Sequence, residues 1–301
     1  MDYNSVCSYL NTNNIFFEKD KSTKELVSFR AGGCAKIVVY PNSLLELCRI
    51  VSYLLNIKSK FFILGNGTNV IFNDSGYEGV IISTKHLVNS FNRDEYLSAD
   101  SGTPINSLCK LAKSRNLSGI ECLYGIPGTV GGAVFMNASA FNTAISDVTY
   151  ESLVYDYNKR LIYYLNKEEH LFSTKHSVFI DEKNLILLST TVELTKGNKT
   201  SIQEKMDSCI SKRRTTQPLS LPSAGSVFKR PRNNYASKLV DDAGLKGYTI
   251  GGAQVSKKHA GFIVNIGNAS YKNIKALTEL IKSEVQNQYN IYLEEEIIFI
   301  E

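Results

Sequence analysis

The residues best suited to chemistry lie in two glycine-rich runs. Gly65-Asn66-Gly67-Thr68-Asn69 stands between the apolar runs Phe61–Leu64 and Val70–Phe72, and Gly125-Ile126-Pro127-Gly128-Thr129-Val130-Gly131-Gly132 follows about 60 residues later. Glycine tolerates positive φ and lets main-chain N–H groups approach phosphate oxygens. Either run alone reads equally well as a tight turn. As a pair, with Pro127 and two asparagines inside them, they predict two lobes gripping one elongated anion such as a dinucleotide. Neither is a Gly-x-Gly-x-x-Gly turn opening a helix, and there is no Gly-x-x-x-x-Gly-Lys-Ser/Thr. After Gly67 the chain enters the strand-like Val70-Ile71-Phe72, which argues against a Rossmann domain and a P-loop NTPase.

The rest of the composition narrows the classes further. The 301 residues allow two or three lobes and a sizeable core. Hydrophobic content of 43% and charged content of 21% are ordinary for a soluble globular protein. No apolar run approaches a membrane span, and the start Met1-Asp2-Tyr3-Asn4-Ser5 lacks the features of a secretion signal, so a cytoplasmic protein is expected. Cys7, Cys34, Cys48, Cys109, Cys122 and Cys209 show no Cys-x-x-Cys spacing and the four histidines are scattered. No metal site or disulfide is expected, and most of these cysteines should be small core residues. The net charge of +5 is densest at Lys212-Arg213-Arg214 and Lys229-Arg230. That is too little for a nucleic-acid stripe but enough for anionic small molecules.

These loops need elements to hold them. Ser43-Leu44-Leu45-Glu46 is a capping box, starting a helix with Leu44, Leu47, Val51 and Leu54 on one face. Phe61–Leu64, Val70–Phe72 and Gly79–Ile82 read as short strands around the first loop. Thr103-Pro104 opens a second helix with Leu108, Leu111 and Ala112 inward. Val148–Tyr157 and Leu161–Leu165 form a hairpin around Asn158-Lys159-Arg160, and Asn184–Leu194 is another strand. Beyond the boundary signal Lys196-Gly197-Asn198-Lys199 lie a helix over about 200–214 and a long helix capped by Ser270, with Ile274, Leu277, Ile281 and Val285 inward. A final strand is expected over Ile291–Ile300. Strands and helices mix without strict βαβ alternation, which predicts an α+β fold. The expected division is an FAD-binding domain over 22–196, in lobes of about 22–84 and 85–196, and a smaller substrate-binding domain over 197–301 whose last strand returns to the active site.

Six motifs in order resemble the MurB family, the UDP-N-acetylenolpyruvoylglucosamine reductases. They are Ser28-Phe29-Arg30-Ala31-Gly32-Gly33, the two glycine loops, Pro222-Ser223-Ala224-Gly225-Ser226-Val227-Phe228-Lys229, Ala243-Gly244-Leu245-Lys246-Gly247 with Gly251-Gly252-Ala253 and Lys258-His259-Ala260-Gly261-Phe262, and Leu293-Glu294-Glu295-Glu296-Ile297. The likeness covers roughly residues 25–300. It implies a flavin fold of the p-cresol methylhydroxylase type, with FAD between two α+β lobes and a third lobe over the substrate. The short link from Phe179 to Leu185 is similar to the second family type, which lacks a substrate-covering tyrosine loop. The implied activity is peptidoglycan synthesis chemistry. Non-covalent FAD takes hydride from the co-substrate NADPH and delivers it to the enolpyruvyl ether of UDP-N-acetylglucosamine, leaving UDP-N-acetylmuramate.

The resemblance also distributes roles. Gly65, Asn66, Gly67, Thr68, Asn69, Gly125, Ile126, Pro127, Gly128, Thr129, Gly131 and Gly132 would hold FAD. Ser226 falls at the proton donor; on its own it reads better as a turn serine bonding its own backbone. Glu296 falls at a second catalytic carboxylate, selected from Glu294 and Glu295 by the Leu-Glu-x-Glu-Ile register. Lys175 stands where the family has an arginine that meets enolate charge, and Thr174 stands where it has a tyrosine. Lysine keeps the charge but lacks the planar fork. Arg214, Lys229, His259 and Asn265 are candidates for the UDP-sugar side, and His176 raises the idea of a covalent flavin, which the family does not use. The implied partners are the UDP-sugar and NADPH, with no nucleic acid, no membrane insertion, and a monomer or weak oligomer. The alternatives are another FAD oxidoreductase of the same fold, which the Lys175 and Thr174 changes favour, and a non-catalytic FAD-binding paralogue.

Overall fold

Capping chemistry sets the first predicted helix. In the computed structural model, which describes residues 2–301, Ser43 Oγ accepts from Glu46 N at 3.1 Å and Glu46 accepts in return from Asn42 N, starting the helix Leu44–Asn56. Leu47, Ile50, Val51 and Leu54 are buried. This helix belongs to the first of two compact units, which comprises residues up to Phe17, Val38–Asn66 and Gly79–Lys212. Here Phe61–Leu64 pairs in parallel with Tyr77–Ser83, in the register Phe61↔Val80 to Leu64↔Ser83. A five-stranded antiparallel sheet runs in the order Leu161–Asn166, Thr149–Asp156, Leu185–Glu193, Tyr96–Asp100, Ser90–Arg93. The hairpin turn is built by Asp156, whose Oδ1 accepts from Asn158 N (3.0 Å) and Lys159 N (3.1 Å). The helices Ile105–Ser114 and Val130–Phe135 close a core of Leu97, Ile105, Leu108, Val134, Val154 and Val192. Leu111, expected inward, is only half-buried against it.

The second unit comprises Glu18–Ile37, Gly67–Glu78 and Arg213–Glu301. Ser270 caps the helix Tyr271–Tyr289, and its Ile274, Leu277, Ile281 and Val285 are all buried as expected. That face packs on a small antiparallel sheet of Thr249–Ile250, Ala253–Val255 and Ile263–Asn265 and on the helix Ala236–Asp242, none of which the sequence reading foresaw. The expected final strand is shorter than predicted. Only Ile298–Ile300 is strand, pairing in parallel with Val70–Phe72, and Glu295 makes an isolated bridge to Phe228. Residues 291–297 lack a continuous ladder because their amides serve separate partners, such as Glu296 N on Val227 O. Among the described residues, no helix is long and apolar enough to cross a membrane and no group of three or more His, Cys, Asp or Glu could hold a metal ion. Five cysteines are buried, and Cys34 is exposed.

Candidate active site

In the first unit the structure joins the start of the first loop to the second. Asn66 Nδ2 donates to Pro127 O at 2.5 Å. A Cβ at Gly65 would lie 2.7 Å from Thr129 Oγ1, so any side chain there would displace the threonine. Thr129 caps Val130–Phe135 by accepting from Gly132 N at 3.2 Å, and Gly125, with φ +94°, is held by Asn106, whose Oδ1 accepts from its N at 2.7 Å. Gly131 N donates to Ser101 O at 2.8 Å. Gly128 O accepts from Ile105 N, and Ile126 packs against the core. Asn106 and Ser101 escaped the sequence reading, since no local pattern links them to residues 19 and 30 positions away.

Lys175 lies on the same unit, at the apex of a tight turn between Ser173 and His176, with φ +56°. The frame around it is firmly fixed. Phe172 stacks on buried His170 with ring centroids 4.9 Å apart, Ser177 Oγ donates to Phe135 O at 2.7 Å, Phe179 is buried, and Asn137 Nδ2 donates to Ser173 O at 2.9 Å. His170 contacts Asn166 O through Nδ1 (2.7 Å) and Ser152 Oγ through Nε2 (2.8 Å), and burial lowers its pKa. Thr174 is exposed. His176 Nε2 sits 3.1 Å from the Asp181 carboxylate.

The second unit carries Gly67, Thr68 and Asn69. Gly67 has φ +61° and accepts from Ser28 N at 2.9 Å, tying the loop to the Ser28–Gly33 motif. None of the described residues accepts a hydrogen bond from the main-chain N–H groups of Asn66, Gly67 or Thr68. Asn69 Nδ2 donates to Glu296 O at 3.0 Å, and Glu296 N donates to Val227 O at 2.8 Å. Ser226 and Glu296 therefore sit on directly bonded segments, both half-buried, with Gly225 at φ +76° turning the chain ahead of Ser226. Of the neighbouring glutamates, exposed Glu294 pairs with Lys229, and Glu295 meets Lys275 (3.2 Å) and Lys282 (3.3 Å).

The remaining candidates divide. Arg214 is exposed, with its carbonyl accepting from Lys258 Nζ, whereas its neighbour Arg213 is buried. His259 is spent on its own turn: its Nδ1 accepts from Gly261 N at 3.2 Å, its ring meets Phe262 edge-on, and burial lowers its pKa, with Lys246 adding to the effect. That acceptor role puts the neutral ring's proton on Nε2. Asn265 is buried, with Nδ2 donating to Phe29 O (3.0 Å) and Oδ1 accepting from Gly267 N (3.0 Å) and Ala269 N (3.1 Å).

An α+β frame with no Rossmann turn fits an FAD-binding flavoprotein, and residues 35–155 match the FAD binding domain family. The chain is 40% identical over 274 residues to UDP-N-acetylenolpyruvoylglucosamine reductase of Caldanaerobacter subterraneus subsp. tengcongensis, covering 91% of this chain and 90% of that one. It belongs to the UDP-N-acetylenolpyruvoylglucosamine reductase family. The same-named proteins of Caldicellulosiruptor bescii and Clostridioides difficile are 41% and 38% identical, over 97% and 96% of this chain and 93% and 96% of theirs. Residues 217–300 match the C-terminal domain of UDP-N-acetylenolpyruvoylglucosamine reductase. The crystal structure of the Thermus caldophilus reductase (MurB) superposes with a TM-score of 0.80 at 27% identity, covering 95% of this chain and 99% of that one. The cofactor is FAD, and the chain is an FAD-containing oxidoreductase.

Proposed function

We propose that this chain reduces the enolpyruvyl ether of UDP-N-acetylglucosamine to UDP-N-acetylmuramate for peptidoglycan synthesis, with NADPH as co-substrate. Bound FAD supplies the hydride relay between the two. Supporting this reading above all is the direct main-chain bonding of the Ser226 and Glu296 segments, with Asn69 of the first glycine loop bonded to Glu296 O. Ser226 donates the proton that completes reduction, and Glu296 orients that transfer. Lys175 meets the enolate charge with a cation on a fixed turn. Lys229 and Arg214 serve the diphosphate, Lys229 exchanging the exposed Glu294 for a phosphate. His259 and Asn265 serve the same side by holding main chain in place. The residues from Gly65 to Asn69 and from Gly125 to Gly132 hold FAD without a covalent bond. Along the chain, 22–196 does the FAD work and 197–301 the substrate work. A nucleotide-activated sugar as substrate supports a cytoplasmic location, and the chain acts as a monomer or weak oligomer.

The test separates the two half-reactions. NADPH consumption should depend on the enolpyruvyl sugar nucleotide over repeated turnovers. In stopped flow, Ser226→Ala should keep the NADPH half and lose roughly 10²–10⁴-fold in the substrate half, the range of general acid catalysis. Equal loss in both halves would make Ser226 a fold or flavin residue and sink the assignment.

A further inference from the structure

The turn that carries Lys175 is anchored on both sides to one short helix. Lys175 sits at φ +56°, in the left-handed region that a non-glycine residue rarely adopts, and Ser173 and His176 close the turn with main-chain bonds of 3.2 and 3.3 Å. Such a conformation persists only where its surroundings hold it. The holders are Asn137 and Ser177. Asn137 Nδ2 donates to Ser173 O at 2.9 Å, so that carbonyl accepts a second bond beside the one from His176 N. Ser177 Oγ donates to Phe135 O at 2.7 Å. Both anchors lead to the C-terminal end of Val130–Phe135, since Asn137 N donates to Val134 O at 3.2 Å. Asn137 is 7% exposed and Ser177 is fully buried, so neither anchor competes with water. The other end of the helix is the second glycine loop, where Thr129 Oγ1 accepts from Gly132 N. Six helical residues therefore join that loop to the turn of the cation.

We propose that Asn137 is a positioning residue for Lys175, with the helix Val130–Phe135 as the strut that fixes the lysine's turn relative to the second glycine loop. This rests on the reading that Lys175 meets the enolate charge. Asn137 acts through the Ser173 carbonyl rather than on the substrate. Electrostatic stabilisation pays off only where the charge is placed in advance, because a group that must reorganise during the reaction forfeits the gain. Lysine needs such a hold, since its point charge rides on a flexible stem with no fork to orient it. The anchored turn supplies through the main chain the placement that a planar fork would supply through the side chain.

A double-mutant cycle on the two half-reactions tests this. Asn137→Gly removes the amide and tolerates the positive φ of +43° at that position. In single-turnover kinetics it should slow reoxidation of reduced flavin by the enolpyruvyl sugar nucleotide about tenfold, the rate equivalent of one hydrogen bond. Flavin reduction by NADPH should stay at the parent rate. In a Lys175→Ala background the same change should slow reoxidation no further, because the residue it serves is gone. The same loss repeated in that background would mean that Asn137 acts independently of Lys175, and would overturn the proposal. So would an equal loss in both half-reactions, which would make Asn137 a fold or flavin-loop residue, or a parent-like substrate half. Hydrogen exchange on the FAD-free protein reads the anchor directly: the His176 amide, bonded to Ser173 O, should exchange faster in Asn137→Gly, and an unchanged rate counts against the proposal equally. Ser177→Ala cuts the other anchor and should show the same kinetic pattern, carrying the test if Asn137→Gly does not fold. A Lys175→Ala protein whose substrate half is itself parent-like fails the Lys175 reading, and the proposal falls with it.

Discussion

Replacing Asn265 with alanine puts the accounting of the second unit at risk. The side chain makes three good hydrogen bonds, all to main chain: Phe29 O at 3.0 Å, Gly267 N at 3.0 Å and Ala269 N at 3.1 Å. A fourth contact, to Arg30 O at 3.4 Å, is long and counts for little. Alanine strips the partner from three main-chain groups at a site where the asparagine itself is 8% exposed. At about 1 kcal/mol for each bond, and more for any group that stays dry, the loss is about 3 kcal/mol. That is a large share of a typical folding free energy of about 5–15 kcal/mol. Urea denaturation should show a lower midpoint with an unchanged slope. Asn265→Asp, which keeps the two acceptor bonds and loses the donor bond, should fall between the two. FAD affinity should drop as well, because the Phe29 segment carries Ser28, whose N holds Gly67 O. A variant within about 0.5 kcal/mol of the parent, with its KM for the sugar nucleotide sharply raised, would refute this. The amide would then belong to the substrate, and its main-chain bonds would be incidental.

Lys175→Ala should slow the substrate half-reaction by about 10²–10³-fold, the usual cost of losing one electrostatic stabiliser, and leave the NADPH half nearly unchanged in single-turnover kinetics. Lys175→Arg should stay active. A parent-like substrate half in Lys175→Ala would move the role to another cation, such as Arg214 or Lys229. The pH response follows from His170, whose pKa burial holds below its ordinary 6.5. As pH falls through that value the unfolded chain takes up its proton first, so this contribution to stability is intact above it and is lost on acidification. His259, also lowered, adds with the same sign. Thermal melts between about pH 7.5 and 5.5 should show a decline that is shallower in His170→Asn; an equal slope would clear His170 of the effect.

Much of this was legible because the signals were local. The Ser43 and Ser270 caps, the apolar faces of their helices and the hairpin at Asn158 each depend on residues within one or two turns of one another. The family motifs located both glycine loops, Ser226 and Glu296. What stayed hidden depends on distant partners. No spacing announces that Asn106 holds Gly125, that Ser101 lies under Gly131, or that His170 braces the Lys175 turn by stacking on Phe172. The over-long final strand failed for the same reason. Its alternating apolar residues satisfy a strand pattern, yet a ladder also needs a neighbour along its whole length, and only Ile298–Ile300 has one. Asn265 reads as an available polar side chain until its main-chain partners are known.

The parallel pair of Val70–Phe72 with Ile298–Ile300 also sets a timetable. During synthesis the stretch beside the first glycine loop must wait for a partner that emerges 228 positions later, roughly 10–45 s at common elongation rates. Until then an apolar strand edge and a row of unclaimed amides are in the hands of chaperones rather than of the fold. The same arithmetic governs dissection. A fragment starting at residue 197 would leave behind both Val70–Phe72 and the Phe29 carbonyl that Asn265 holds, so cutting there would yield an unfinished half rather than a portable module.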